Sequence, residues 1–142
     1  EQGDLVVAHT DVTQDADIVG NPALVVKPDK YETLVITMDL MKVEGAEDWL
    51  SKEFLFYLFK SRAFKGHCLS CTNGTTVLHM SRKAVPSYKF KMPNREKIVT
   101  FTAVTKPTVE KTFANISQIR TLEELRDMLL PKLMSGKIRV EQ

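Results

Sequence analysis

Residues 49–65, WLSKEFLFYLFKSRAFK, constrain the fold more than any other stretch, because they are the most apolar part of the chain and the point where its charge changes sign. Leu50, Phe54 and Leu58 recur at helical spacing, with Trp49, Tyr57 and Phe64 near the same stripe. Lys52, Glu53, Lys60 and Arg62 interrupt too irregularly for strict alternation. The spacing predicts a helix over about residues 47–65, with Gly66 just past its C-cap and Lys60, Arg62 and Lys65 near the negative end of its dipole. The rival is a buried strand over 54–59, since six apolar residues in a row are many for one helical face. Either way, aromatics at this density read as core rather than as a cofactor site.

Upstream, residues 1–51 hold three lysines against eleven acids; residues 52–107 hold eleven Lys or Arg against only Glu53 and Glu96. Residues 108–142 are nearly balanced, so the formal net charge of +2 conceals a strong segregation along the sequence. That asymmetry is the one compositional feature that points to a partner.

A chain of 142 residues is by default one domain, able to bury about two-thirds of its unfolded surface without metals or disulfides. At 43% hydrophobic and 27% charged residues it is globular in composition, and no apolar run approaches the ~20 residues of a membrane span. With no initiator Met and no signal-like start, it reads as a processed product or an excised domain. Two cysteines three positions apart favour an intracellular setting over a disulfide framework, and the sequons at Asn73 and Asn115 shift that little.

In chain order, 5–8 is a short apolar strand, followed by a polar, acidic loop over 9–22 that is expected to give nothing to the core. Residues 23–27, between Pro22 and Pro28, suggest an edge strand. Residues 31–43 are the clearest strand, with Leu34, Ile36, Met38 and Leu40 alternating with polar neighbours and Val35. Asn73-Gly74 predicts a two-residue hairpin turn pairing Cys71 with Thr76, Leu69 with Leu78 and Cys68 with His79. Further strands are expected over 87–92 and 97–106, with Pro93-Asn94 turning between them. Thr121 and Glu124 have capping-box spacing at the start of a second helix carrying Leu122, Leu125, Leu129 and Leu133. Pro131 should kink or end that helix and Gly136 close it, before a last edge strand at Ile138 and Val140. Elements that segregate rather than alternate argue a single α+β domain over 1–142, with a mainly antiparallel sheet and two principal helices on one face.

The Cys68-Leu69-Ser70-Cys71 run, with His67 and His79 nearby, resembles a zinc or redox motif. The hairpin register would put the two cysteines on opposite faces, Cys71 in the core and Cys68 on the sheet surface beside His79. No metal, cofactor or disulfide is therefore expected. No phosphate-binding glycine loop, nucleophile elbow or metalloprotease helix is present, and a non-enzymatic chain is expected, with no catalytic residue.

The remaining signal is the segment 81–97, where Arg82, Lys83, Lys89, Lys91, Arg95 and Lys97 interleave with Tyr88 and Phe90. Cations neutralise phosphates and aromatic rings stack on unpaired bases, so these residues and Tyr88 are the expected nucleic-acid contacts, with RNA as the expected partner. If Lys89 and Lys91 face solvent, Tyr88 and Phe90 face the core and are packing residues rather than stacking platforms; the competing reading of the whole segment is a solvated basic face. The alternative is an assembly protein whose acidic front meets the basic middle of a neighbouring copy, or an acidic protein surface; a peripheral membrane contact through the basic face belongs with it.

Overall fold

Four apolar residues in a row form β1 (Leu5–Ala8), and all four are buried. After His9 the chain enters β2 (Thr10–Asp11), which belongs to a second sheet. His9 makes the handover with its backbone: its N–H donates to the Asp39 carbonyl at 2.7 Å and its carbonyl accepts from the Met80 amide at 2.9 Å. In the first sheet β3 (Pro22–Leu24) and β4 (Leu40–Val43) flank β1, both antiparallel, with Val6 opposite Ala23 and Lys42. The central position of β1 explains why both its faces are apolar, and the proline-led β3 lies at an edge, where a missing N–H breaks no ladder.

The computed structural model describes residues 1–13, 15–28 and 31–138, and the chain divides into two compact units, Glu1–Thr105 and Lys106–Gln142. In the first, the apolar stretch forms two helices, α1 (Lys52–Phe59) and α2 (Arg62–Ser70). Each begins on a serine whose hydroxyl accepts from the amide three residues on, Ser51 from Phe54 at 3.1 Å and Ser61 from Phe64 at 3.2 Å. The single helix expected over 47–65 is thus broken at Lys60-Ser61, and Gly66 lies inside α2 rather than beyond a helix end. The six-residue apolar run is α1, not a strand; Leu55 and Phe59 are its buried residues, and Phe59 stacks on Phe64 of α2 at 4.1 Å, fixing the elbow. Phe64 is fully buried with Leu5, Val7, Val19, Cys68 and Met80, and sequestering a ring of that size contributes about 1.5–3 kcal/mol.

The second sheet places β6 (Leu78–Met80) between β2 and β5 (Thr72–Asn73). Thr72 pairs with Met80 and Asn73 with His79, so the two-residue turn is not formed and four residues, 74–77, join the strands. The expected register fails because α2 runs through Ser70 and takes Leu69, Ser70 and both cysteines out of the ladder.

Other expectations yield for related reasons. Residues 31–39 form no strand, because β1 turns away into the second sheet after Ala8 and leaves that segment without a partner. Val35 and Met38 in it are 85% and 81% exposed. The acidic stretch 9–22 does supply buried groups, Val19 in the loop after β2 and the Asp11 carboxylate in β2 itself. Residues 87–92 join no ladder: α3 (Ala84–Ser87) ends there.

The expected strand over 97–106 is the start of α4 (Arg95–Met134), which contributes its residues through Thr105 to the first unit and the rest to the second. Asn94 caps it, its side chain accepting from the Lys97 amide at 3.1 Å. Packing overrides the β-branched composition: Ile98 is buried, Phe101 meets Phe54 and Tyr57 edge-on at 6.0 and 5.7 Å, and Thr102 bonds Ser51 at 2.8 Å. Threonine hydroxyls bond back along the helix, Thr100 to the Glu96 carbonyl and Thr105 to that of Phe101, which satisfies the hydroxyls without stabilising the helix. In the second unit Thr121 is an interior residue bonded to the Ser117 carbonyl, not a cap, and Pro107 and Pro131 lie within the helix. Gly136 does close it: at φ 71° its amide donates to Leu133, while that of Lys137 donates to Lys132. The proposed strand at Ile138 and Val140 reaches residues outside those described. The class is α+β, with two three-stranded antiparallel sheets in place of one.

Candidate nucleic-acid interface

The basic residues around the first unit's core fall into two groups, one of which includes Lys42 from the acidic front. Lys52 donates to Asp4 at 2.6 Å, and Lys42 bridges Asp4 and Glu44 at 3.1 Å each. Lys52 first, with the chain's amino group and Lys42, holds the Asp4 carboxyl far below the usual carboxylate range against the opposing effect of burial. Lys65 reaches from α2 into the loop after β2, donating to the carbonyls of Ala16, Asp17 and Val19 and to Asn21 Oδ1 at 2.7–3.2 Å. Burial lowers its pKa, opposed by nearby Asp11. From the end of β2 Asp11 accepts from the Thr13 hydroxyl and from the amides of Thr13, Ile18 and Val19 of the same loop. Burial works against its ionisation, yet those bonds together hold it well below the ordinary value. Gly20 completes the loop at φ 78°, where a Cβ would stand 2.6 Å from that of Cys68.

The second group carries its charge into solvent. Arg82, Lys83, Lys89, Lys91, Arg95 and Lys97 are exposed and make no ion pair among the described residues. Arg82 and Lys83 lie in the turn between β6 and α3, Lys89 and Lys91 beyond α3, and Arg95 and Lys97 in the first turn of α4. Lys89 and Lys91 do point outward while Tyr88 and Phe90 are half-buried. Tyr88 is edge-on to Phe64 at 5.0 Å, tilted against His67 at 5.3 Å, and stacked under Phe90 at 5.9 Å. It anchors the basic segment to α2 and the core.

Lys60 and Arg62, at the α1–α2 elbow, share this exposed, unpaired character and were missed by the sequence reading, which placed them inside one long helix. The signal that could have found them is the repeated Ser-x-x-Phe at Ser51 and Ser61, two cap patterns ten residues apart.

The cysteine expectation reverses. Cys68 is fully buried in α2, where desolvation pushes its thiol up to about 11; Cys71, at the helix C-cap, is half-buried. Both are free thiols. Cys68 does not meet His79, which pairs instead with Thr10 across the second sheet. His67 Nε2 lies 2.9 Å from the Ala84 carbonyl, 3.3 Å from Ser87 Oγ and 4.0 Å from Cys71 Sγ. With its Nε2 proton directed at a carbonyl, His67 is a structural bridge between α2 and α3 rather than a base for Cys71. Among the described residues no three His, Cys, Asp or Glu side chains gather as metal ligands, and no helix is long and apolar enough to cross a membrane.

No family model matches the chain, and no solved structure does. Two curated proteins are similar to parts of it. Over 69 residues, 49% of the chain, it is 33% identical to the type I restriction enzyme MjaIX specificity subunit of Methanocaldococcus jannaschii. Over 93 residues, 65% of the chain, it is 29% identical to the type I restriction enzyme HindI specificity subunit of Haemophilus influenzae. The matched stretches span only 16% and 20% of those proteins.

Proposed function

We propose that this chain is a non-enzymatic DNA-binding module of a restriction-type specificity protein, holding the duplex backbone through its first unit. The observation that carries the reading is the set of exposed cations from Arg82 to Lys97, unpaired among the described residues and mounted on a rigid aromatic base at Tyr88. The likeness to two specificity subunits of restriction enzymes favours DNA over the RNA expected from charge alone. Phosphate contacts of this kind position a protein on the duplex, while selection of sequence falls to groups that reach base edges. The test is a salt titration of binding to duplex DNA and to RNA of matched sequence. Binding should favour the duplex and weaken steeply with salt, and Lys89→Glu with Lys91→Glu should flatten the slope by about 0.9 for each phosphate no longer neutralised. Equal or tighter binding to RNA would return the reading to RNA, and no binding at ~50 mM salt would end it.

A second reading concerns assembly and rests on the other unit. From Thr121 to Met134 every side chain is exposed, and Leu122, Leu125, Leu129 and Leu133 repeat at helical spacing. Such a stripe is stabilised by burial against another apolar helix, and a second copy of the same helix supplies one with matching spacing. Sedimentation at several protein concentrations tests it: the wild type should associate and Leu125→Asp/Leu129→Asp should not.

A further inference from the structure

We propose that the groove at the α1–α2 elbow is a second backbone-contact site, in which Lys60 and Arg62 bind a phosphate of one DNA strand and the apolar floor takes the adjoining sugar; this rests on the DNA reading above. The groove, about 440 Å³, runs between the loop after β2 and α2, with Pro22, Phe59 and Leu69 in its lining and Lys60 and Arg62 beside them. Lys65 lines it too, but its ammonium is already shared among four oxygens of the loop. The charge left for a ligand is therefore that of Lys60 and Arg62.

Neither cation is explained fully by the fold. The ammonium of Lys60 lies 5.2 Å from the Phe56 ring centre, an exposed contact of small value. Arg62 stands in the first turn of α2, where the helix dipole disfavours a cation, and no acidic residue in that turn offsets it. An anion held between the two side chains relieves both charges. An apolar floor beside paired cations suits a sugar–phosphate unit better than a free inorganic anion, which has no use for Phe59, Pro22 or Leu69.

The groove also contains its own control. Gly66 lines it, and a Cβ built there meets nothing within 4 Å, so a larger side chain projects into open space without a change in charge. The experiment is a salt titration of duplex DNA binding by the full chain, by Lys60→Gln/Arg62→Gln and by Gly66→Leu, with thermal melts of all three as a check on folding. Removing the two cations should make the slope of log K against log salt shallower by about 0.9, the contribution of the one phosphate they share. Gly66→Leu should melt no lower than wild type and still lose affinity. A double variant with the wild-type slope, or a Gly66→Leu variant with wild-type affinity, in a protein that binds duplex DNA, overturns the groove and leaves the wider reading standing. A wild-type chain that binds no duplex overturns both.

Discussion

Asp11 and Lys65 are opposite charges devoted to one loop: the carboxylate collects the loop's amides and the ammonium its carbonyls, so polar groups order the segment alongside the buried Val19. Asp4, Asp11 and His9 set the pH response. The folded pKa values of Asp4 and Asp11 are depressed, so their stabilisation is present above the unfolded value of about 3.9 and is lost as pH falls below it. His9 is also depressed, by burial first and then by Arg82 and His79, with Asp39 opposing. Its Nε2 is buried and has no hydrogen-bond partner among the described residues. Folding therefore favours the neutral ring, and stability should begin to fall as pH drops below about 6.5. Chemical denaturation between pH 8 and 3 should show two declines, and His9→Phe should abolish the upper one alone. At the thiols, Cys71 should react first in the native protein, and Cys68 only after denaturation, because its thiolate is both inaccessible and disfavoured. Equal labelling rates would show α2 to be open where it packs.

Among the elements, α2 ties separate parts of the first unit together: Phe64 and Cys68 face the core, Lys65 binds the loop, and His67 bridges to α3. Phe64→Ala should cost about 3–5 kcal/mol in urea unfolding, since the cavity lies among Phe59, Tyr88 and the buried strand residues. Gly66→Ala, at a helical position with open space around the added methyl, should stabilise by up to about 1 kcal/mol. Gly20→Ala should do the reverse, since it forces a left-handed backbone and a clash with Cys68 at once; a melting temperature equal to wild type would mean the loop can move off α2. In α4 the same reasoning separates two stretches of one helix. Residues before Thr105 are held by Ile98 and Phe101, whereas those after Thr121 expose their leucines.

Across the whole chain, charge segregated in sequence is partly reunited in space, because Lys52 returns to Asp4 and Lys65 to the loop beside Asp11. The positive surface that remains runs from Arg82 to Lys97, with Lys60 and Arg62 at the α1–α2 elbow. Local chemistry alone determined β1, the proline-led edge strand, the glycine that ends α4, and the outward lysines alternating with inward aromatics around Tyr88, since each depends on burial periodicity or on a backbone preference confined to a few residues. What tertiary structure decided was every choice with two locally acceptable answers. The β-branched run 97–106 is helical because Phe101 finds Phe54 and Tyr57 of α1. The alternating run 31–39 stays unpaired because β1 leaves for the second sheet, and Asn73-Gly74 forms a longer connection because α2 consumes the residues that would have paired. A strand needs a neighbour and a helix needs a surface to bury against, and sequence spacing names neither.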